Sequence, residues 1–273
     1  MKFADLHLHT LFSDGTYTPE ELILAGKTSG LSAIAVVDHD CVDAVSPSID
    51  IGKTHGIEVL PGIELTAEYS GREVHILGYL FDYKGKGFTE KLDFLKKNRV
   101  DRVYKITDRL KDIGIPLKPE SVFGMAKEGT VGRLHIARAL VRNGFVGSIY
   151  EAFQKYIGDN CPAYVCNFRF TPAEAIRLIR EQKGIPVLAH PYSFNRDELI
   201  PELVNDGLMG LEVHYPEHTQ SMVNFYLKLA KENNLLVTGG SDCHGEAKPE
   251  IKIGSVKIPY ELVEKLKEAR LKL

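Results

Sequence analysis

Phe3-Ala4-Asp5-Leu6-His7-Leu8-His9, then Thr18-Pro19-Glu20-Glu21, then Ala33-Ile34-Ala35-Val36-Val37: these three runs decide the fold. The first and last are apolar and of strand length. The middle one offers an N-cap Thr, a Pro at the first helical position and a Glu three residues after the cap, and Gly30 supplies a left-handed stop. Strand, capped helix, strand is the building unit of a parallel sheet. The same reading extends outward to strand-length runs at residues 57–60, 74–80, 186–188, 208–213 and 235–238. Thr171-Pro172-Ala173-Glu174 opens a second capped helix, with Gly184 expected as its stop. Seven buried strands over this length predict a closed α/β barrel rather than an open sheet.

The rhythm fails between Gly85 and Tyr164, where the pattern is helical over residues 88–113, 119–127, 132–143 with Gly144 as stop, and 148–156. The expected organisation is therefore a barrel from residues 1–84 and 165–273, with residues 85–164 inserted as a helical cap over its mouth. Composition agrees with a soluble globular chain: 273 residues, 44% hydrophobic and 26% charged, which exclude disorder and fibres. A net charge of -3 leaves no global basic field for long nucleic acid. No apolar run approaches the roughly 18 residues of a membrane helix, and Met1 to Asp5 leads into charge, so a cytoplasmic location is expected. Cys41, Cys161, Cys166 and Cys243 lack secreted spacing and are read as reduced.

Chemistry is legible in the ten histidines, most of which stand in short runs with acids: Asp5-Leu6-His7-Leu8-His9, Asp38-His39-Asp40, Glu73-Val74-His75, Ala189-His190-Pro191 and Ser241-Asp242-Cys243-His244, with Gly62-Ile63-Glu64 beside them. Most of these runs follow or finish a strand, which places them at the carboxyl-end rim where barrels keep their active sites. His75 stands near the start of its strand, after the turn Tyr69-Ser70-Gly71-Arg72. Imidazole with carboxylate suits Zn, Mn or Fe, and without paired cysteines the site is open rather than structural. His7, His9, Asp14, His39, Glu64, His75, His190, Asp242 and His244 are too many donors for one ion, so two or three divalent ions are expected. A carboxylate such as Glu64 can bridge two of them, an arrangement suited to in-line displacement at phosphorus.

In this order the motifs resemble the PHP (polymerase and histidinol phosphatase) superfamily over nearly the whole chain. The insertion carrying Gly132-Arg133-Leu134-His135 further resembles the branch of nucleoside 3',5'-bisphosphate phosphatases and related exoribonucleases sometimes called RNase AM, with Leu134 standing where that branch has Pro. The resemblance implies a distorted (β/α)7 barrel with three divalent ions. It assigns His7, His9, Glu64 and Asp242 to one ion, Glu64, His75 and His190 to the second, and Asp14, His39 and His244 to the third. Arg133 and His135 match positions that grip the substrate phosphate, and His218, in the segment Glu212 to His218, matches one that faces substrate; these three are the expected catalytic residues, with Arg133 orienting the phosphate and His135 and His218 the candidates to bind it or to protonate the leaving oxygen. The implied substrate is a small phosphate ester on a nucleotide, with short 5'-phosphorylated RNA as a second. Neither a membrane nor an obligate protein partner is expected. Histidinol phosphate hydrolysis and a non-catalytic metal-holding module are the alternatives.

Other residues take plainer readings. His55 serves a helix end before Gly56, Cys41 and Cys243 are small buried neighbours of the ligand runs, and His214 caps Tyr215-Pro216. The basic stretch Lys96 to Arg109 is read as a solvated helix face, from which Arg99 and Arg102 alone are expected to reach a second phosphate.

Overall fold

A computed structural model describes residues 1–126, 129–166 and 170–273. Its strands are β1 (Phe3–Leu8), β2 (Ala33–Val36), β3 (Glu58–Tyr69), β4 (Arg72–Tyr79), β5 (Ile185–Leu188), β6 (Gly210–His214), β7 (Leu236–Gly239) and β8 (Ile258–Pro259). They form one sheet in the order β7-β6-β5-β4-β3-β2-β1-β8. The chain just after β7 returns against β1 through a parallel bridge of Leu8 to Cys243, where the His9 N–H donates to the Cys243 carbonyl at 3.1 Å, so the sheet nearly closes. This is the distorted barrel expected, with seven principal strands and a two-residue eighth that pairs antiparallel with β1.

The all-parallel expectation is corrected at β4, which runs antiparallel to both β3 and β5. The cause is local: Ser70 and Gly71 both hold positive φ, 49° and 77°, which is the two-residue hairpin turn whose twist suits antiparallel strands. Strand β3 also does not stop at Leu60 but runs on to Tyr69, so Glu64 lies in mid-strand rather than after a strand end. Gly184 is not a left-handed stop either; Lys183 takes that conformation, with φ 54°.

The helices form where their caps are. α1 (Pro19–Thr28) begins with a full capping box: the Thr18 hydroxyl accepts the Glu21 N–H at 3.2 Å, and the Glu21 carboxylate accepts the Thr18 N–H at 2.8 Å. Such caps contribute about 1 kcal/mol. α2 (Val45–His55) ends at Gly56 in the left-handed conformation. The inserted helices are α3 (Lys86–Asp112), α4 (Pro119–Ala126), α5 (Arg133–Arg142) and α6 (Ile149–Ala152), the last continuing into a π turn at Phe153–Ile157. The expected end of α4 at Lys127 lies outside the described residues. α7 (Pro172–Glu181) repeats the capping box with Thr171 and Glu174.

Buried side chains divide accordingly. Val103, Ile106, Leu110, Val122, Ile136 and Leu140 form a cluster belonging to the inserted helices. Ala4, Leu6, Ala35, Leu77 and Val187 pack beneath Val263 and Leu266 of the C-terminal helix Glu261–Arg270. The two clusters are not the whole division, since Phe88, Leu92 and Leu95 of α3 pack with Ile63, Leu65, Ile76 and Leu188 of the sheet, each fully buried Leu or Ile contributing roughly 1.5–3 kcal/mol. Among the described residues no helix is long and apolar enough to cross a membrane.

Candidate metal centre and substrate cavity

Strand alternation sets the first ligands. His7 on β1 and His9, one residue past its end, are two apart and both reach the donor cluster, while Leu6 and Leu8 are buried among apolar side chains. Glu64 sits on β3, and His75 faces Thr66 across the hairpin, which brings an imidazole from the reversed strand to the same rim. His39 follows β2 and bridges to Glu64, His190 follows β5, and Asp242 and His244 follow β7. Three residues here hold positive φ without being glycine, namely Asp40 (50°), His190 (26°) and Asp242 (53°), the sort of backbone strain that gathers at functional sites. Gly240 has no side chain for a reason: a Cβ there would strike the His7 backbone.

Buried carboxylates pin the loops. Asp38 accepts from Thr10 N–H (2.7 Å), Thr10 Oγ1 (2.6 Å) and Ser13 Oγ (2.5 Å), fixing the loop that carries Asp14. Asp5 accepts from the Ser241 and Gly254 N–H groups at 2.8 and 2.9 Å, holding the loop of Asp242 against β1.

The donor atoms converge. His7 Nε2 lies 3.2 Å from Glu64 Oε2 and 3.4 Å from Asp242 Oδ1; His9 Nε2 lies 3.2 Å from each of the same two oxygens. Ligands 2.0–2.2 Å from one tetrahedral ion stand roughly 3.3–3.6 Å apart, so His7, His9 and Asp242 are spaced as a group that could hold one ion, with Glu64 Oε2 at 3.2 Å from both imidazoles. Glu64 Oε1 faces the other way, 2.7 Å from His75 Nδ1 and 3.1 Å from His190 Nε2. Asp14 lies 3.2 Å from His244 Nε2 and 3.8 Å from His39 Nε2. All nine expected donors are thus in one cluster, and neighbouring sets share members: His9 also approaches Asp14, and His39 also approaches Glu64. Buried His9 Nε2, Asp14 Oδ1 and His39 Nδ1 have no hydrogen-bond partner, which is costly unless a cation takes their lone pairs.

The far ring nitrogens are engaged. His7 Nδ1–H donates to Glu212 Oε1 at 2.9 Å, His75 Nε2–H to Glu73 Oε1 at 2.9 Å, and His244 Nδ1–H to the Asp242 carbonyl at 2.8 Å. Each bond fixes the tautomer that turns a lone pair inward, the usual support for a metal-binding imidazole. Glu212 and Glu73 were not among the expected site residues. The only sequence signal for Glu73 is its i, i+2 spacing to His75, and for Glu212 its place at the head of the run ending at His218.

Charge follows the same plan. Burial opposes ionisation of Glu64, but His39, His75 and His7 around it hold its carboxyl well below the usual range. Asp242 is likewise held low against burial by Lys248, His244 and His7. Burial pulls the His9 and His75 imidazoles down, yet the facing carboxylates win and carry them up to about 9 and about 10. Burial keeps His39 well below its usual value. Protons and cations therefore compete for these atoms.

Above the cluster opens a cavity of about 240 Å³, whose charged lining is Asp14, Glu64, Glu73, Glu217 and Asp242 against Arg99, Arg133 and Lys248. Acids outnumber fixed cations, so an anionic substrate is admitted once divalent cations are present. Arg133 opens α5 and lines this cavity, its guanidinium 3.2 Å from Glu73 Oε2 and 2.9 Å from Asp159 Oδ1. The solvated-face reading is corrected for two residues of α3. Arg99 is buried against Asp40 (2.6 Å), and Arg102 against Glu73 (2.7 Å) and the Val165 carbonyl (2.7 Å), because α3 packs this face onto the barrel. His135 and His218 are not among the lining residues. His135 is buried, its Nδ1 accepts the Gly132 N–H, and burial lowers its pKa to about 4, leaving it neutral near pH 7. His218 packs behind Tyr215 and Tyr226 and donates through Nδ1 to the Val213 carbonyl.

A barrel rim of clustered imidazoles and carboxylates, with Arg99, Arg133 and Lys248 lining the cavity above it, defines a metal-dependent hydrolase. Residues 5–158 match the model of the PHP domain. The chain is 32% identical to a 5'-3' exoribonuclease of Haemophilus influenzae over 89% of its length and 90% of that protein's. It is 28% identical to a 3',5'-nucleoside bisphosphate phosphatase of Chromobacterium violaceum, covering 89% of this chain and 88% of that one. It is also 28% identical to a phosphoribosyl 1,2-cyclic phosphate 1,2-diphosphodiesterase of Eggerthella lenta, over 89% and 94%. A structure assigned as a metal-dependent phosphoesterase of Bifidobacterium adolescentis superposes with a TM-score of 0.89 at 29% identity, over 97% of this chain and 96% of the other. The chain belongs to the PHP domain family of metal-dependent phosphoesterases.

Proposed function

We propose that this phosphoesterase removes the 3'-phosphate of nucleoside 3',5'-bisphosphates and also trims short 5'-phosphorylated RNA. The observation that carries the metal-dependent chemistry is the four-donor set His7, His9, Glu64 and Asp242, with separations of 3.2–3.4 Å already close to those around a single ion. The relatives that act on nucleoside bisphosphates and RNA support the substrate class. His75 and His190 with Glu64 would hold a second ion, and Asp14, His39 and His244 a third; Mn, Fe and Zn all suit these donors. Such ions supply Lewis acidity and an activated water.

The chain's own residues do the rest. Arg133 orients the phosphate with a planar fork matched to its oxygens, and the aromatic rings of Phe153 and Tyr164, 5.7 and 5.3 Å from its guanidinium carbon, brace it from the sides. Residues 85–164 act as the cap that brings this arginine over the rim. Neutral, buried His135 serves by accepting the Gly132 N–H and so shaping the start of α5, and His218 by backing Tyr215. The test is turnover of a nucleoside 3',5'-bisphosphate, a 5'-phosphorylated oligoribonucleotide and histidinol phosphate by metal-stripped and Mn-reconstituted protein. The bisphosphate should be preferred and stripping should abolish turnover while far-UV circular dichroism is kept. Undiminished turnover after verified stripping, or preference for histidinol phosphate, refutes the reading.

A further inference from the structure

A substrate with phosphates at both ends of a ribose needs two cationic contacts, and Arg133 is one. Arg99 and Arg102 are engaged in the seam between α3 and the barrel, on Asp40 and on Glu73, and their side chains are 4% and 5% exposed. Lys248 is placed differently. It lies just past the loop that bears Asp242 and His244, lines the cavity, and keeps a side chain 29% exposed. Its ammonium is 3.0 Å from Asp242 Oδ2, the oxygen that the Tyr215 hydroxyl also reaches at 2.9 Å, whereas Oδ1 of the same carboxylate faces His7 and His9.

The contacts order these groups. From Arg133 the path runs to Glu73 (3.2 Å), His75 (2.9 Å), Glu64 (2.7 Å), His9 (3.2 Å), Asp242 (3.2 Å) and Lys248 (3.0 Å). Arg133 and Lys248 are thus six contacts apart along the donor cluster, Glu64 being midway in that chain, and both line the one cavity, which is also walled by Tyr215, Phe153 and Leu134. Aromatic and aliphatic walls suit a sugar or base, and the two cations suit anions at either end. A lysine on a four-carbon stem, held by one ion pair at a carboxylate, can turn a second N–H to a ligand without leaving the first.

We propose that Lys248 is a specificity-determining residue: it binds the non-reacting 5'-phosphate, and so makes the enzyme select phosphate esters bearing a second anionic group. This rests on the bisphosphate reading above. The experiment compares nucleoside 3',5'-bisphosphate with nucleoside 3'-monophosphate, which differ only in that second phosphate, for the wild type, Lys248→Met and Lys248→Arg. Metal affinity is measured alongside by competition with a chelating dye. In Lys248→Met the ratio of kcat/KM for the two substrates should fall at least tenfold, mainly through KM for the bisphosphate, and Lys248→Arg should restore most of it. Metal affinity should hold or rise, because a cation beside Asp242 has been removed. An unchanged ratio overturns the proposal, as does weakened metal binding, which would make Lys248 only a prop for Asp242. A wild type that hydrolyses both without preferring the bisphosphate overturns it too. A wild type that hydrolyses neither removes the bisphosphate reading itself, and this proposal with it.

Discussion

Glu212→Gln tests how far the metal centre depends on a residue that would touch no ion. Glu212 is fully buried and splits its carboxylate between two ligands, Oε1 accepting from His7 Nδ1–H at 2.9 Å and Oε2 from the His190 backbone N–H at 2.8 Å. An amide of the same shape has one accepting oxygen and one donating nitrogen. Whichever way it turns, one of the two N–H groups meets another donor. A hydrogen bond to a charged group is worth about 1.5–3 kcal/mol, which corresponds to roughly 10- to 150-fold in affinity at about 1.4 kcal/mol per decade. Affinity of the stripped protein for Zn or Mn should therefore fall by at least about tenfold. The assay is competition with a fluorescent chelator, with circular dichroism to show an intact fold and His55→Gln as a remote control. A folded Glu212→Gln variant with wild-type metal affinity would refute the argument that His7 needs a carboxylate behind it.

Other expectations follow from the same geometry. Glu64→Gln should lower bound metal and turnover far more than His55→Gln, since the two oxygens of Glu64 face five of the imidazoles between them, those of His7, His9, His39, His75 and His190; elemental analysis and initial rates decide it. Arg133→Ala should keep its metal and lose at least about tenfold in kcat/KM for the bisphosphate, with Arg133→Lys recovering charge but not the fork; steady-state kinetics would show it, and an unchanged kcat/KM would contradict it. In the metal-free protein, His9 and His75 are raised to about 9 and about 10. Raised folded-state values stabilise below the unfolded value near 6.5 and are lost as pH climbs through 9 to 10. Melting temperature of stripped protein should accordingly drop between pH 7 and pH 10, and metal uptake should release protons; a flat profile in thermal melts would contradict the ion pairing.

The parts of the fold and site legible in the sequence were those written in short range. Apolar runs and the Thr-Pro-x-Glu caps marked seven strands and two helices, and His-x-His or Asp-x-His spacing marked pairs of donors on one face. What escaped depends on partners distant in sequence. Nothing near Glu212 announces His7, 205 residues away; Lys248 looks like an ordinary surface charge until the barrel closes, and the spacing of Glu73 to His75 does not announce Arg102 and Arg133, which it also meets. The direction of β4 was misjudged although its turn was identified, because strand periodicity is blind to direction and only the φ signs at Ser70 and Gly71 disclose it. Arg99 and Arg102 alternate with acids as a solvated face would, and were buried only by the packing of α3.

The centre joins segments far apart in sequence: His7 on the first strand and His9 just past it meet Asp242 and His244 beyond the seventh, with Leu8 bridged to Cys243. A polypeptide still emerging from the ribosome displays its first imidazoles long before the matching carboxylate has been synthesised. The set of His7, His9 and Asp242 is consequently complete only when residues more than 230 positions apart have met, and a chain interrupted before His244 lacks half of the closing pair however well its earlier strands have assembled. Cation content then reports closure of the barrel as well as readiness for catalysis.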